Sequence, residues 1–468
     1  MEALMTILRI PRDFLPNLAL YVVILTEGFV TISLEILTLR QMIPFVGNSV
    51  TVTSLIIGVF LLFLAYGYRQ GGKINDNPIK ILTRNFCIAA ILLGIGLSYP
   101  FIALYFMAFN KLFSANLFSG LLVYLLFITA PLVYLLGQTV PITMHLHKKH
   151  ENVGLIGGKV LHASTIGSFL GSILTTVVLM HFVGVAQTVV FNYCLLLFLV
   201  VLLNINQLQL IYIVILTGFS IIVFQCNVQF ERLTFIKTNS FANYAVEDAR
   251  VLYGKPSKAL ILNRSGASYI DDEMKGFPYI ELVKRILFEE LAFKHKDILV
   301  LGAGGFTLSA ENTYENYFKY VDIDPELPKI IKNHFLEKIE GEIVIQDARQ
   351  FLLTHPKKYD AIVSDTYSHR LSVPTHLATK EYFQLIATSI KPEGYALFNI
   401  VANPLLKDAY SKRMDNTIRS VFNSCMVIPL EYKNARNNLI YVCQNNKKDE
   451  IIYIDNNNQI DFDLYQPE

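Results

Sequence analysis

The chain has 468 residues, 53% of them hydrophobic and only 17% charged, with a formal net charge of +2 and a mean hydropathy of +0.41. Soluble domains carry about 25% charged residues, so this average excludes an ordinary soluble enzyme, and a near-neutral chain without a basic run disfavours a nucleic-acid partner. The charges are unevenly spread: about 7% of residues 1–230 against about 26% of 231–468, which reads as a membrane-embedded half followed by a soluble half.

A helix needs about 20 apolar residues to cross a bilayer. Seven stretches qualify, at 17–39, 50–68, 86–109, 117–140, 155–183, 185–203 and 208–226. The expectation is a multi-pass protein of the cell membrane, of the bacterial inner-membrane kind, with the lipid bilayer as its first partner. Gly167 and Gly171 form a G-x-x-x-G that lets another helix approach closely. Glu27 and Glu35 lie inside the first stretch, where an acid serves either a pathway or a buried structural contact. Arg9, Arg12, Arg69, Lys73, Lys80, Arg84, Lys148, Lys149 and Lys159 fall on one side of a seven-span path, and Arg40 and Lys111 on the other. The positive-inside rule then puts the N-terminus in the cytoplasm and exports the soluble half. A nucleoside-using enzyme is expected in the cytosol, so the side is left open.

Cys87, Cys194, Cys226, Cys425 and Cys443 are scattered without a C-x-x-C pair, so neither a zinc site nor a disulfide framework is expected. His145, His147 and His150 accompany Lys148 and Lys149 in a basic connection, where headgroup contact is the reading and no metal is expected.

From about 238 to 275 short β-like stretches appear (Tyr244–Val246, Arg250–Tyr253, Ala259–Leu262), followed by an amphipathic helix near 278–293. Apolar strands then alternate with helices, starting at Asp297, Tyr320, Ile343, Tyr359, Tyr395 and Leu439. Continuous apolar runs with polar ends indicate a largely parallel, doubly wound sheet, which binds ligands outside the carboxyl ends of its strands. The first strand runs into Gly302-Ala-Gly304-Gly-Phe, a loop through which backbone can approach a ligand. Asp322 closes the next strand at the spacing where a carboxylate takes ribose hydroxyls, and Asp347 follows the third, where an acid can accept from an adenine amino group. Thr307 stands where a dinucleotide fingerprint needs its third glycine, so a sulfonium nucleoside without phosphates fits better than NAD.

The run from Asp297 to about Ile400 resembles the spermidine synthase (polyamine aminopropyltransferase) family, through the glycine loop, Asp322-Ile-Asp-Pro325, Gln346-Asp347, Tyr359–Asp365 and Lys391-Pro-Glu-Gly394. The helical half, with Leu34-Glu-Ile-Leu-Thr-Leu-Arg40, is similar to the membrane-fused branch of that family. The resemblance implies a class I methyltransferase-type Rossmann-like domain over 231–468, with a small β region before it, behind a polytopic unit over 1–230. It implies decarboxylated S-adenosylmethionine as co-substrate, or S-adenosylmethionine on the same scaffold, and a small-molecule amine as acceptor. Gly302, Gly304, Asp322, Asp347 and Pro374 would hold the donor, Asp365 would orient or deprotonate the amine, and Tyr279 and Ser368 would line its pocket.

The departures are as informative. The family's glycine-loop acid is Gly305 here, its second amine-site acid is Ser368, and the His or Gln expected after Tyr279 is Ile280. One carboxylate instead of several binds a dication weakly, which argues against putrescine as acceptor but not against a nucleoside donor. Two other readings stay open: a methyltransferase, and a non-catalytic transporter or sensor regulated by a nucleoside. Self-association is also left open.

Overall fold

The computed structural model describes residues 14–47, 49–113, 117–147, 152–204, 210–250, 254, 256–310, 314–367 and 373–444. Among them, seven helices are long and apolar enough to cross a membrane: α1 (Leu18–Val46), α2 (Val50–Gly71), α3 (Pro78–Gly96), α5 (Phe118–Leu146), α6 (Val153–Val183), α7 (Val185–Asn204) and α8 (Leu210–Thr234). The stretch expected at 86–109 is not one helix. Pro100 cannot supply the N–H that a continuing helix requires, and the chain breaks at Leu97–Ser98 into α3 and a shorter α4 (Tyr99–Phe113). Ser98 back-bonds to the Ile95 carbonyl (2.7 Å), and its own carbonyl starts α4 by accepting the Ile102 amide (3.1 Å).

Small residues let the helices touch backbone to backbone. A Cβ at Gly167 would sit 2.0 Å from the Leu25 carbonyl oxygen, and one at Gly171 would sit 2.4 Å from that of Phe29, so α1 and α6 run parallel in contact. Two pairs of polar side chains inside are matched across helices: Asn85 donates to Gln138 (2.9 Å) and Asn192 to Ser33 (2.8 Å). Glu27 is buried and accepts the Thr31 hydroxyl (2.7 Å), whereas Glu35 is half-buried.

The ends of α1, α3 and α8 and the start of α7 gather at one end of the bundle. There Gln41 donates to the Leu97 carbonyl (3.0 Å), Asn227 to that of Gly94 (2.8 Å), and the Ala186 amide to Glu231 (2.9 Å). α4 stays at this end as well, with Phe106 stacked on Phe45 (5.1 Å) and Tyr99 edge-on to Phe235 (4.9 Å). The chain therefore passes through the bundle seven times, and the start of α1 and the second half of the chain lie at opposite ends.

The second half opens with an antiparallel sheet, β1 (Lys237–Thr238), β2 (Asn243–Asp248), β3 (Ser257–Leu262) and β4 (Ser265–Asp271). The strand expected at Arg250–Tyr253 mostly lies outside the described residues, and β4 had no counterpart among the expected strands. The expected helix near 278–293 is shorter, with α9 (Pro278–Lys284) continuing into a widened turn at Arg285–Glu290.

A seven-stranded sheet follows: β5 (Asp297–Leu301), β6 (Tyr317–Asp322), β7 (Glu342–Ile345), β8 (Tyr359–Ser364), β9 (Ile390–Ala402), β10 (Ser424–Pro429) and β11 (Asn437–Gln444), in spatial order β7-β6-β5-β8-β9-β11-β10. β5 to β9 are parallel, and β11 and β10 add antiparallel at the edge. Alternation along β5 sends Ile298 and Val300 to one core and Leu299 and Leu301 to the other, so both faces of the sheet are covered.

One expectation is overturned here. Cys425 and Cys443 are directly opposed on β10 and β11 and are joined by a disulfide. The two are 18 residues apart in sequence, and only strand pairing brings them together. The helix contacts predict that Gly167→Ala lowers the unfolding midpoint of the detergent-solubilised protein by several degrees, because overpacking costs about 1–3 kcal/mol. Gly58→Ala, where nothing lies within 4 Å of the new methyl, should leave it unchanged or raised.

Candidate active site

The carboxyl ends of β5, β6 and β8 converge because the sheet is parallel there. Gly302 follows β5 at φ +86°, and a Cβ on it would meet the Asp365 carbonyl oxygen at 2.3 Å, so only glycine fits both the torsion and the space. Its amide donates to the Val321 carbonyl (3.0 Å), and the Asp365 amide donates to that of Leu301 (2.9 Å), which seats the three strand ends side by side.

Asp322 ends β6. One of its oxygens accepts the Ala303 amide (3.0 Å) and the other the Asp324 amide (3.0 Å). Burial pushes this carboxyl up, and the two amides oppose that shift. Asp347 caps α11 (Ala348–Thr354), accepting the Arg349 and Gln350 amides (both 3.0 Å), and its second oxygen pairs with His376 (2.9 Å). Burial acts to raise this carboxyl, but the Gln350 amide and His376 outweigh it and hold it below the usual range. An adenine amino group at Asp347 would thus meet a carboxylate that already has partners on both oxygens. Pro374 precedes the short turn Thr375–Leu377 that carries His376, so the structure groups Pro374 with Asp347.

Asp365 follows β8. Tyr279 donates to one oxygen and Asn399 to the other, both at 2.8 Å, and Asn438 donates to Asn399 (2.8 Å). Burial pushes the Asp365 carboxyl up, while the Asn399 and Tyr279 hydrogen bonds pull it back. The Tyr279 hydroxyl is held far above its ordinary value by burial and then by the adjacent carboxylate, so it remains a donor. Asp365 is the sole carboxylate among the described residues lining this pocket. Its walls include Ile280, Val283, Leu308 and Leu397, and the Gly302–Gly304 loop forms its floor.

The structure gives a physical reason for Gly305. A side chain there would begin 2.5 Å from the Phe335 ring and 2.7 Å from the Ser268 Cβ, and the Gly305 amide donates to the Ser268 hydroxyl (2.7 Å). The volume beside the loop is filled by β4 and by the end of α10 (Leu327–His334). Ser268 and Asn399 are site residues that sequence reasoning missed. Asn399 had a readable signal, as a polar residue interrupting an apolar strand, whereas Ser268 had none. Ser368 lies outside the described residues.

No group of three His, Cys, Asp or Glu side chains that could hold a metal occurs among the described residues. Were Asp322 the acid that takes a ribose, Asp322→Ala would lose charge-assisted hydrogen bonds, so the expected outcome of calorimetry with methylthioadenosine on the full chain is binding weakened by about tenfold or more. Unchanged affinity would remove Asp322 from the ligand site.

Residues 278–453 match the family model described as the spermine/spermidine synthase domain. The chain is 30% identical over 176 residues to polyamine aminopropyltransferase 2 of Hyperthermus butylicus, a match that covers 35% of this chain and 56% of that protein. It is 21% identical over 401 residues to polyamine aminopropyltransferase 2 of Aquifex aeolicus, covering 80% of this chain and 78% of the relative, a length the soluble half alone cannot hold. Among solved structures, a probable spermidine synthase from Corynebacterium glutamicum aligns over 44% of this chain and 78% of its own at 20% identity, with a TM-score of 0.38. Residues 278–453 are thus similar to the spermine/spermidine synthase domain, and the longer match to the Aquifex aeolicus protein extends that similarity into the helical half.

Proposed function

We propose that the chain is a membrane-anchored aminopropyltransferase, with residues 1–230 as the anchoring unit and 231–468 as the catalytic unit. The donor is decarboxylated S-adenosylmethionine and the acceptor is a small amine. The observation that carries this reading is Asp365, a lone carboxylate beside the glycine loop with both oxygens oriented by Tyr279 and Asn399. Membrane anchoring is supported by the apolar side chains on the outside of the bundle, among them Leu61, Phe127, Val177, Phe182 and Ile221.

The chemistry asks little of the protein beyond placement. A protonated amine has no lone pair, so Asp365 holds the ammonium and takes, or passes to water, one proton. The neutral nitrogen attacks the methylene carbon next to the sulfonium. A C–N bond forms as the C–S bond breaks, its electron pair stays on sulfur, and neutral methylthioadenosine leaves. No acid is needed for that departure, and orientation supplies most of the rate. Asp322 would hold the ribose and Asp347 the adenine, with His376 displaced or shared. The apolar walls around one carboxylate suit an acceptor that brings a single ammonium into the pocket, because a second buried cation would have no partner there.

Gly305, closed in by Ser268 and Phe335, favours S-adenosylmethionine-dependent methyl transfer as the second reading, since the family's acid is absent at that point. Purified full-length protein offered each sulfonium donor with a panel of monoamines and diamines separates them. Methylthioadenosine supports aminopropyl transfer, S-adenosylhomocysteine supports methyl transfer, and neither supports a non-catalytic nucleoside sensor. Asp365→Asn should reduce transfer by about 10²-fold or more while leaving donor affinity nearly unchanged.

The pH profile gives a sharper check. Asp365 acts when ionised and burial raises its pKa, so activity should fall as pH drops through a value above the ordinary carboxylate range. Tyr279→Phe deletes a hydrogen bond that favours the ionised form, so the acid limb should move to still higher pH. A limb that stays in place would detach Tyr279 from this ionisation.

A further inference from the structure

A continuous set of hydrogen bonds, buried at the bundle end and part-buried at the other, runs from the helix bundle to Asp322. We propose that Arg40 of α1 is a positioning residue for Asp322, which makes the bundle part of the donor site's scaffold and not a tether alone. The proposal rests on reading Asp322 as the ribose acid. Arg40 is 3% exposed; its Nε donates to the Asn239 carbonyl and its Nη2 to Asn243 Oδ1, both at 2.7 Å. Asn239 Nδ2 donates to Asp324 Oδ2 (2.8 Å), and the Tyr244 hydroxyl donates to the same oxygen. The Asp324 amide then fixes Asp322 Oδ1, and the Ala303 amide fixes Oδ2.

Charge explains why an arginine is used. Asp324 is 2% exposed, and Glu231 caps the start of α7 close by, so two carboxylates sit at the junction between the halves. Arg40 brings a positive charge and several fixed donors to this junction from the bundle side, and two of those donors hold the Asn239 carbonyl and Asn243. A junction needing only shape could be filled by a leucine. With the cation removed, the Asn239 turn and Asp324 lose their fixed geometry, and Asp322 loses one of its two amides.

The test uses the full chain in detergent, with methylthioadenosine as the binding probe and hydrogen exchange of residues 300–306 and 321–324 read without ligand. Arg40→Gln should weaken binding by about tenfold and speed exchange in both segments, with Arg40→Lys recovering part of the loss. Tyr244→Phe guards against misfolding of the arginine variants, since it removes only the hydroxyl on Asp324, and it should shift both readouts the same way. Arg69→Gln, an exposed charge at the far end of the bundle, should shift neither. Folded Arg40 and Tyr244 variants with wild-type affinity and exchange would overturn the proposal. If the wild type binds no adenosine ligand, the functional reading fails on its own, and unchanged exchange in the variants would still overturn the relay.

Different observations bear on sidedness. Given a membrane-spanning bundle, we infer that the catalytic half stands on the non-cytoplasmic face. Seven passes put the start of α1 and the second half of the chain on opposite sides. At the start-of-α1 end the sequence carries Arg9, Arg12, Arg69, Lys73, Lys80, Arg84, Lys148, Lys149 and Lys159, while Arg40, Lys111, Arg232 and Lys237 flank the passes at the other. That imbalance holds the first end in the cytoplasm. Independently, the Cys425–Cys443 disulfide belongs to the second half, and such bonds persist where glutathione does not reduce them. A sulfonium nucleoside is a fixed cation, so an export step has to deliver the donor to that face.

Protease treatment of spheroplasts expressing the full chain reads the side directly, and non-reducing mass spectrometry after alkylation reads the disulfide. The expected result is digestion of the soluble half from outside, with Cys425 and Cys443 linked. A soluble half protected until the membrane is breached would overturn the inference, whether or not the cysteines are linked.

Discussion

The junction of the two halves depends on a network of hydrogen bonds that ties the bundle to the buried Asp324. Asp324 is closed off from water between the parallel sheet and the β1–β2 turn, and its oxygens are satisfied by Asn239, Tyr244 and the Glu326 amide. Arg40 reaches the same turn from the bundle, donating to the Asn239 carbonyl and to Asn243. The same contact anchors the turn, orients the antiparallel sheet and leaves the Asp324 amide aimed at Asp322. Breaking it strands the buried Arg40 guanidinium without the Asn239 carbonyl and the Asn243 side chain, and a buried donor left unsatisfied costs more than a lost surface contact.

The candidate site follows from the parallel sheet by the same logic of backbone donors. Strands that end together expose amides and carbonyls with no further ladder partner, and the glycine loop turns sharply enough to bring β8 against β5. Asp322 and Asp347 are then held by backbone amides, whereas Asp365 is held by side chains from α9 and β9. Amide-held acids keep one orientation and suit ribose and adenine. A side-chain-held acid inside apolar walls has its ionisation tuned by its neighbours and suits proton exchange with an amine. Ser268 and Phe335 close the space beside Gly305, and Asp365 is the one carboxylate among the described residues lining the pocket.

The bundle owes its tight crossings to glycines that meet backbone carbonyls, at Gly28, Gly167 and Gly171 between α1 and α6, and at Gly67 and Gly137 between α2 and α5. Lipid and leucine are equally apolar, so helices in a bilayer gain from close packing and shared hydrogen bonds more than from hiding apolar surface. The Asn85–Gln138 and Asn192–Ser33 pairs fit that rule, as do the exposed aliphatic and aromatic side chains around the outside.

Length, charge distribution and apolar runs were enough to read seven long helices, a parallel α/β sheet and the three acids at its strand ends, because each signal is local and periodic. Asp322, Asp347 and Asp365 stood out as polar residues closing apolar strands, and Asn399 could have been read the same way. The break at Pro100 was missed because hydropathy continues across it, while the missing N–H does not register on that scale. What the sequence could not supply was pairing over distance. Cys425 and Cys443 look unrelated until β10 and β11 align them, Arg40 counts only as one more flanking charge until the β1–β2 turn folds onto it, and nothing local joins His376 to Asp347. Local chemistry fixes which residues can form a strand end, a span or a loop, but contacts between segments far apart in the chain arise only when burial drives them together, and those contacts decide which charges are paired.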